Sequence, residues 1–299
     1  LHNLGCKVNY YETEAMAQLL EAAGYEIVGF EEKADVYVIN TCSVTNIADR
    51  KSRQIIHRAK KRNPDSVVVA AGCYVQAAGS KLREDRAVDI MIGNNKKAEL
   101  AGILEAYFAG KRAARQECVI DIDRTQEYEQ LGIKRGSEHT RAFVKVQDGC
   151  NQFCSYCIIP YVRGRVRSRR PEEVVKEAKK LVAEGYQEIV LSGIHLSSYG
   201  MDFPEDKPET LLGLMEKLDG IEGLKRMRLG SLEPRIITEE FVEAMAGLKT
   251  VCPHFHLSLQ SGCDEVLRRM NRHYTGEEFK RSCAVLRRWF DNPAITTDV

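Results

Sequence analysis

The sequence predicts an α/β protein in two parts: an N-terminal doubly wound parallel sheet over 1–110, then, after a linker over 111–140, a partial (βα) barrel over 141–299. Three observations point there. Strand-like and helix-like segments alternate from the start, which argues a parallel sheet. Ser66-Val-Val-Val-Ala-Ala71 is a continuous apolar run of the kind a strand buried on both faces shows. From Ala142 onward, five further strands recur with helices between them, a repeat whose working face lies at the carboxyl ends of its strands.

Taken in order, Asn9 reads as the cap of a helix to about Ala23, with Met16, Leu19, Leu20 and Ala23 on one face and Gly24 ending it. Strands are expected at Glu26–Phe30 and Asp35–Thr41. A helix from about Val44 to Arg62 stops before Pro64, and Val88–Ile92 resembles the buried run at Ser66. The linker is rich in charge and poor in periodicity, which predicts a partly extended segment. Beyond it, Ala142–Asp148, Glu188–Ser192, Arg226–Gly230, His254–Leu259 and Ala294–Asp298 read as strands. Helices begin near Glu172, Glu209, Thr238 and Glu277.

The chemistry sits in the cysteines. Cys150-Asn-Gln-Phe-Cys154-Ser-Tyr-Cys157 places three thiols on one loop directly after a predicted strand. Three thiolates can hold three irons of a cubane cluster and leave the fourth open, unlike the ferredoxin-type runs. A zinc site would need a fourth ligand, and no Cys or His follows before His195. A dithiol at Cys154 and Cys157 would leave Cys150 unexplained. A chain of 299 residues has ample size for a core, so a disulfide framework is not required.

Cys6, Cys42 and Cys73 form a second set. Cys42 and Cys73 follow predicted strands, Cys6 follows the first few residues, and carboxyl ends of parallel strands line the ligand crevice of an open sheet. Taken singly, each reads equally as a small buried hydrophobe. Together, with Gly5 and Gly72 adjacent for close approach, they suggest a second three-ligand cluster. Cys118, Cys252, Cys263 and Cys283 show no such pattern and read as core or surface thiols.

Composition is that of an ordinary globular protein, and no apolar run is long enough to span a membrane. Ten cysteines without a signal peptide point to a reducing compartment, hence the cytoplasm. The net charge of +1 says little until the charges are located. Arg50, Lys51, Arg53, Arg58, Lys60, Lys61 and Arg62 crowd one predicted helix, which suits phosphate binding or simply a solvated basic face.

The Cys-x3-Cys-x2-Cys loop with Tyr156 before its last cysteine resembles the radical S-adenosylmethionine (SAM) signature. With Leu4-Gly-Cys-Lys-Val-Asn9, Asn40-Thr-Cys-Ser-Val-Thr45 and Gly72-Cys-Tyr-Val-Gln76, the chain is similar to the methylthiotransferase family, over about half its length. The resemblance implies two 4Fe-4S clusters, an auxiliary one on Cys6, Cys42 and Cys73 and a SAM-binding one on Cys150, Cys154 and Cys157. It implies that one SAM methylates sulfur at the auxiliary cluster and a second yields a radical that abstracts hydrogen from C2 of an adenine beside the anticodon of tRNA. An electron donor such as flavodoxin or ferredoxin is implied as partner. The motif forms look most like the branch acting on threonylcarbamoyladenosine. The alternatives are the isopentenyladenosine branch and a non-catalytic metal- and RNA-binding module.

Arg163, Arg165, Arg167, Arg169 and Arg170 follow the loop closely. The threonylcarbamoyl carboxylate suits a bidentate guanidinium, so Arg163 or Arg165 is expected to face the substrate. Gly193, Ser231, Glu233 and Gln260 are the resemblance-based candidates for lining SAM, with the Tyr156 ring against the adenine. The family comparison also leads us to expect that the barrel is truncated within its fifth strand and that the C-terminal TRAM domain is absent.

Overall fold

The computed structural model describes residues 1–110, 116–133 and 140–299. The chain divides into two compact units, Leu1–Ile133 with Ile158–Gly164, and Lys134–Cys157 with Arg165–Val299. Of the linker expected over 111–140, residues 111–115 and 134–139 lie outside the described residues.

The first unit is a five-stranded parallel sheet in the order β1 (His2–Asn3), β2 (Val36–Thr41), β3 (Val67–Gly72), β4 (Ile90–Ile92), β5 (Gln116–Cys118). Helices cover both faces, as a doubly wound sheet requires. On one face α1 (Lys7–Ala22) and α4 (Leu100–Ala109) pack Met16, Leu20, Leu100 and Leu104 on Val38, Val69 and Ile92. On the other, α2 (Asn46–Arg62) and α3 (Cys73–Arg83) pack Ile56, Ala59, Val75 and Leu82 on Ile39, Val68 and Met91. The alternation of partners along β3 explains its unbroken apolar run, since every residue of the strand is buried. A short helix, α5 (Ile159–Arg163), belongs to this unit although it follows Cys157 directly in the chain.

Two expectations need correction here. Glu26–Phe30 forms no strand; Phe30 instead lays its ring against His2 and Tyr37, with centroids 4.7 and 5.6 Å apart. Asn9 is not a helix cap but a buried residue inside α1. Its Nδ2 donates to the Leu4 and Thr41 carbonyls at 2.7 and 2.9 Å, joining the chain ahead of Cys6 to the chain ahead of Cys42.

The second unit carries its parallel strands in chain order: β6 (Ala142–Asp148), β8 (Glu188–Gly193), β9 (Arg226–Leu229), β10 (His254–His256) and β11 (Ala294–Thr296). Single bridges from Met227 to Val251 and from Leu232 to Leu257 link the β9 and β10 segments. A two-residue strand, β7 (Arg167–Ser168), runs antiparallel on the edge of β6. Between the strands lie α6 (Pro171–Ala183), α7 (Leu211–Asp219), α8 (Glu239–Ala246), α9 (Asp264–Arg269) and α10 (Gly276–Trp289). Their starts are written in the sequence: Thr210 and Thr238 accept the amides of Gly213 and Phe241, and Thr275 forms a reciprocal box with Glu278. This is the βα repeat that the sequence predicts. No helix among the described residues is long and apolar enough to cross a membrane.

Candidate functional site

In the first unit the strand-and-helix junctions carry the thiols. Cys6 caps the N-terminus of α1, Cys73 opens α3, and Cys42 follows β2. Helix N-termini present amides and positive dipole ends, which favour anions. Gly5 and Gly72 adopt φ of +103° and +93°. A Cβ on Gly5 would stand 2.9 Å from Cys42 Sγ, so only glycine lets the Cys6 and Cys42 segments lie this close. Burial pushes the Cys42 thiol up, Cys73 and Cys6 push it further, and the Val44 amide and the Arg163 guanidinium pull it down. Cys42 thus has both other thiols for neighbours. Asn94 Nδ2 donates to Cys73 Sγ at 3.6 Å.

In the second unit Cys150, Cys154 and Cys157 share the loop at the carboxyl end of β6. Gly149, at φ +70°, turns the chain out of the strand, its amide held by Asp148 at 2.8 Å. Gln147 fixes the same corner, donating to the Asp148 and Gly149 carbonyls and accepting the His195 amide at 2.7 Å. Gly193 lies against that side chain, where a Cβ would meet Gln147 Oε1 at 2.9 Å. From the far side, Asn271 Nδ2 donates to the Gln152 and Phe153 carbonyls, and the Ser155 amide to the Met270 carbonyl. Arg272 Nη1 donates to Cys154 Sγ at 3.3 Å and Nε to the Tyr274 hydroxyl at 3.1 Å. Burial pushes the Cys150 thiol up to about 11, Cys157 and Cys154 adding to it while the Gln152 amide and Arg272 oppose.

Both sets suit iron–sulfur clusters: each offers three thiols and a side-chain N–H donor on one sulfur, and in the first set Gly5 also lets the backbone approach Cys42 closely. Among the described residues no three His, Cys, Asp or Glu side chains converge on one metal ion. A cubane asks less of its thiolates, because each binds a different iron.

The SAM candidates gather at the strand mouths of the same unit. Tyr156 is half exposed and its hydroxyl donates to Gln260 Oε1 at 3.1 Å, Gln260 itself holding φ +67°. Ser231 is exposed. Glu233 is buried and its carboxylate is taken by Arg235, at 2.6 and 3.0 Å, so any contact to a ligand would compete with that pair. Arg235 also reaches Gln152 Oε1 on the cysteine loop at 3.2 Å. His195 Nδ1 pairs with Ser198 Oγ at 2.7 Å, while Nε2 is buried without a hydrogen-bond partner. Burial pulls His195 down to about 4; Glu233 opposes this, and Arg272 and Arg235 reinforce it.

The arginine run divides sharply. Arg163 is fully buried, with Nη1 on Glu12 Oε1 at 2.8 Å and Nη2 on Asn9 Oδ1 at 2.5 Å, so the expectation that it faces substrate gives way to an internal role. Arg167 is buried near Asp148 at 3.8 Å, and Arg169 is buried on Glu177 at 2.8 Å. Arg165 is exposed with its guanidinium over the Phe153 ring at 4.6 Å, and Arg170 is exposed over Phe203. On α2, Arg58 and Arg62 both pair with Glu31, Lys60 with Asp89, and Arg53 with the Tyr74 hydroxyl.

Arg272, Asn271 and Asn94 escaped sequence reading. Nothing in Asn271-Arg-His-Tyr274 or Gly93-Asn-Asn95 marks them at a distance of many residues from the cysteines they touch.

A (βα) repeat with a three-thiol loop at the end of its first strand is the architecture of a radical SAM protein, and the comparisons agree. Residues 144–298, more than half of the chain, match the radical SAM superfamily, and the chain belongs to it. Membership implies SAM and a 4Fe-4S cluster. Residues 1–93 match a family described as uncharacterized protein family UPF0004. The chain is 45% identical over 301 residues to the threonylcarbamoyladenosine tRNA methylthiotransferase MtaB of Bacillus subtilis (strain 168), covering 100% of this chain and 65% of that protein. It is 40% identical to the tRNA-2-methylthio-N(6)-dimethylallyladenosine synthase of Moorella thermoacetica, covering 99% and 66%. The chain thus spans just under two thirds of the length of these relatives. Among solved structures, the radical SAM methyltransferase TsrM of Kitasatospora setae, with cobalamin and a 4Fe-4S cluster bound, superposes with a TM-score of 0.65 over 96% of this chain and 63% of that one. At 16% identity that likeness concerns the fold alone.

Proposed function

We propose that the protein is a tRNA methylthiotransferase that places a methylthio group on C2 of N6-threonylcarbamoyladenosine next to the anticodon. The observation that carries this reading is the occurrence of two three-cysteine sets, one in each unit, in a chain similar over its whole length to a relative named for that substrate. A 4Fe-4S cluster with SAM supplies a deoxyadenosyl radical when bound, strong enough to take hydrogen from an unactivated aromatic carbon that no acid–base pair can deprotonate.

The chain's residues hold and orient. Cys150, Cys154 and Cys157 are the ligands of the SAM-binding cluster, and the 270–272 turn keeps their loop in place. Tyr156 and Gln260 offer a rim against which a flat purine can lie, with Gly193, Ser231 and Glu233 at the neighbouring strand ends. Cys6, Cys42 and Cys73 hold the auxiliary cluster that carries the transferred sulfur. Arg165, exposed beside the loop, reads the threonylcarbamoyl carboxylate. Electrons come from a flavodoxin or ferredoxin, and the setting is the cytoplasm.

The second reading, modification of the isopentenyl (dimethylallyl) form, is favoured by the 40% identity to the Moorella relative. Nucleoside mass spectrometry of tRNA from a deletion strain separates the two. Loss of methylthio-threonylcarbamoyladenosine is expected, and loss of the isopentenyl form instead overturns the assignment. Anaerobic reconstitution should give two cluster equivalents, falling to one when Cys150, Cys154 and Cys157 become Ala; zinc in place of iron and sulfide would sink the enzyme reading.

A further inference from the structure

Behind Cys6, Cys42 and Cys73 lies a group of ions that the fold alone does not call for. Glu12, Lys97 and Arg163 are all fully buried. Lys97 Nζ donates to Glu12 Oε2 at 2.6 Å and Asn94 Oδ1 at 2.7 Å, while Arg163 grips both oxygens of Glu12, at 2.8 and 3.1 Å, and Asn9 Oδ1. Taking such ions out of water costs several kcal/mol each, and apolar residues of the same volume often serve stability as well. Stability is therefore a weak reason for two cations and a carboxylate here.

The same groups reach each cysteine segment. Asn94, positioned by Lys97, sends Nδ2 to Cys73 Sγ at 3.6 Å and to the Val162 carbonyl at 2.6 Å. Asn9, gripped by Arg163, binds the Leu4 and Thr41 carbonyls just ahead of Cys6 and Cys42. Each side chain is fixed by the next, so the charges are held and not free to reorient.

We propose that Glu12, Lys97, Arg163 and Asn94 form an electrostatic frame that sets the reduction potential of the cluster on Cys6, Cys42 and Cys73, an inference resting on the two-cluster reading above. Reduction adds one electron, delivered by a low-potential one-electron reductant, to a cluster already ligated by three thiolates. Buried cations and N–H donors to sulfur favour the reduced form, and a buried carboxylate disfavours it. Glu12 thus opposes Lys97 and Arg163, and the balance sets the potential. These are positioning residues; none is assigned contact with substrate.

The test uses the full-length protein with Cys150, Cys154 and Cys157 replaced by Ala, so that one cluster remains, titrated with dithionite and followed by electron paramagnetic resonance. Glu12→Gln is expected to raise the midpoint potential. Lys97→Met and Asn94→Leu are expected to lower it. Opposite signs are the signature, because general loosening of the site would move all three the same way. Unchanged potentials, or shifts of one sign, overturn the proposal, as does loss of iron and sulfide from all three variants while the parent keeps them. A parent without iron and sulfide would instead remove the auxiliary cluster itself, and this inference with it.

Discussion

Arg272 donates to the sulfur of Cys154 at 3.3 Å from a position 118 residues further along the chain. Tyr274, whose hydroxyl also donates to the Ser258 and Leu259 carbonyls, holds the guanidinium there. A cationic donor on a ligating sulfur stabilises the more negative state of the cluster. Arg272→Leu should lower the midpoint potential of the SAM-binding cluster on the order of 60 mV, one charge-assisted hydrogen bond expressed for one electron. Potentiometry in a Cys6, Cys42 and Cys73→Ala background reads that cluster alone, and an unmoved potential would count against the contact.

Arg163 and Arg165 stand two residues apart with opposite fates, which makes them a controlled pair. Arg163→Met leaves Glu12 short of a partner in a buried site and should cost about 3 kcal/mol or more of stability. Arg165→Gln, on an exposed side chain, should leave the melting temperature nearly unchanged while lowering tRNA modification. Thermal denaturation and product analysis of both variants check this. Wild-type modification by Arg165→Gln would remove it from substrate recognition.

His195 supplies a pH dependence. Its folded pKa, about 4, lies below the ordinary 6.5, so the unfolded chain takes up the proton first as pH falls. The stability it contributes is complete above 6.5 and is lost as pH drops toward 4, about 3 kcal/mol in total. In denaturation curves between pH 6.5 and 4, wild type should lose about 3 kcal/mol relative to His195→Gln, which has no imidazole to protonate. Parallel curves would show that the imidazole is not held neutral.

On α2 the charges are unequal. Arg58, Lys60 and Arg62 are occupied by acidic partners, whereas Arg50, Lys51 and Lys61 have no ion pair among the described residues. Arg50→Ala with Lys51→Ala should weaken tRNA binding and reduce the salt dependence by roughly 0.7–0.9 per lost phosphate contact. Arg58→Ala should do much less. Equal effects would indicate that the helix acts only through net charge.

The longer strands and α1, α2, α6, α7, α8 and α10 were legible because their causes are local, whereas α3, α4 and the short β5 were not read. The apolar run at Ser66 acts within a few residues of itself, and so do the threonines at 45, 210, 238 and 275 that the structure shows capping helices. Glu26–Phe30 misled because its apolar residues suit a strand, yet Phe30 packs its ring on His2 and Tyr37 without joining the sheet. The places of Cys42, Cys73 and Cys150 just after strands were legible, because each follows an apolar run that the sequence marks. The arginine run was not, because charge composition does not say whether a guanidinium meets water or a buried carboxylate. Glu12, which takes Arg163 out of solvent, lies 151 residues away. Asn94 and Arg272 were hidden for the same reason.

The clamp on the cysteine loop also orders events during synthesis. Gln152 and Phe153 carry carbonyls that Asn271 must bind from 119 and 118 residues downstream. At roughly 5–20 residues per second, that partner is made on the order of ten seconds after the loop. Through that interval three nearby thiols are exposed without the turn that holds them, open to oxidation and to stray metal. The nascent chain therefore passes through a stage in which this cysteine loop depends on the reducing conditions around it.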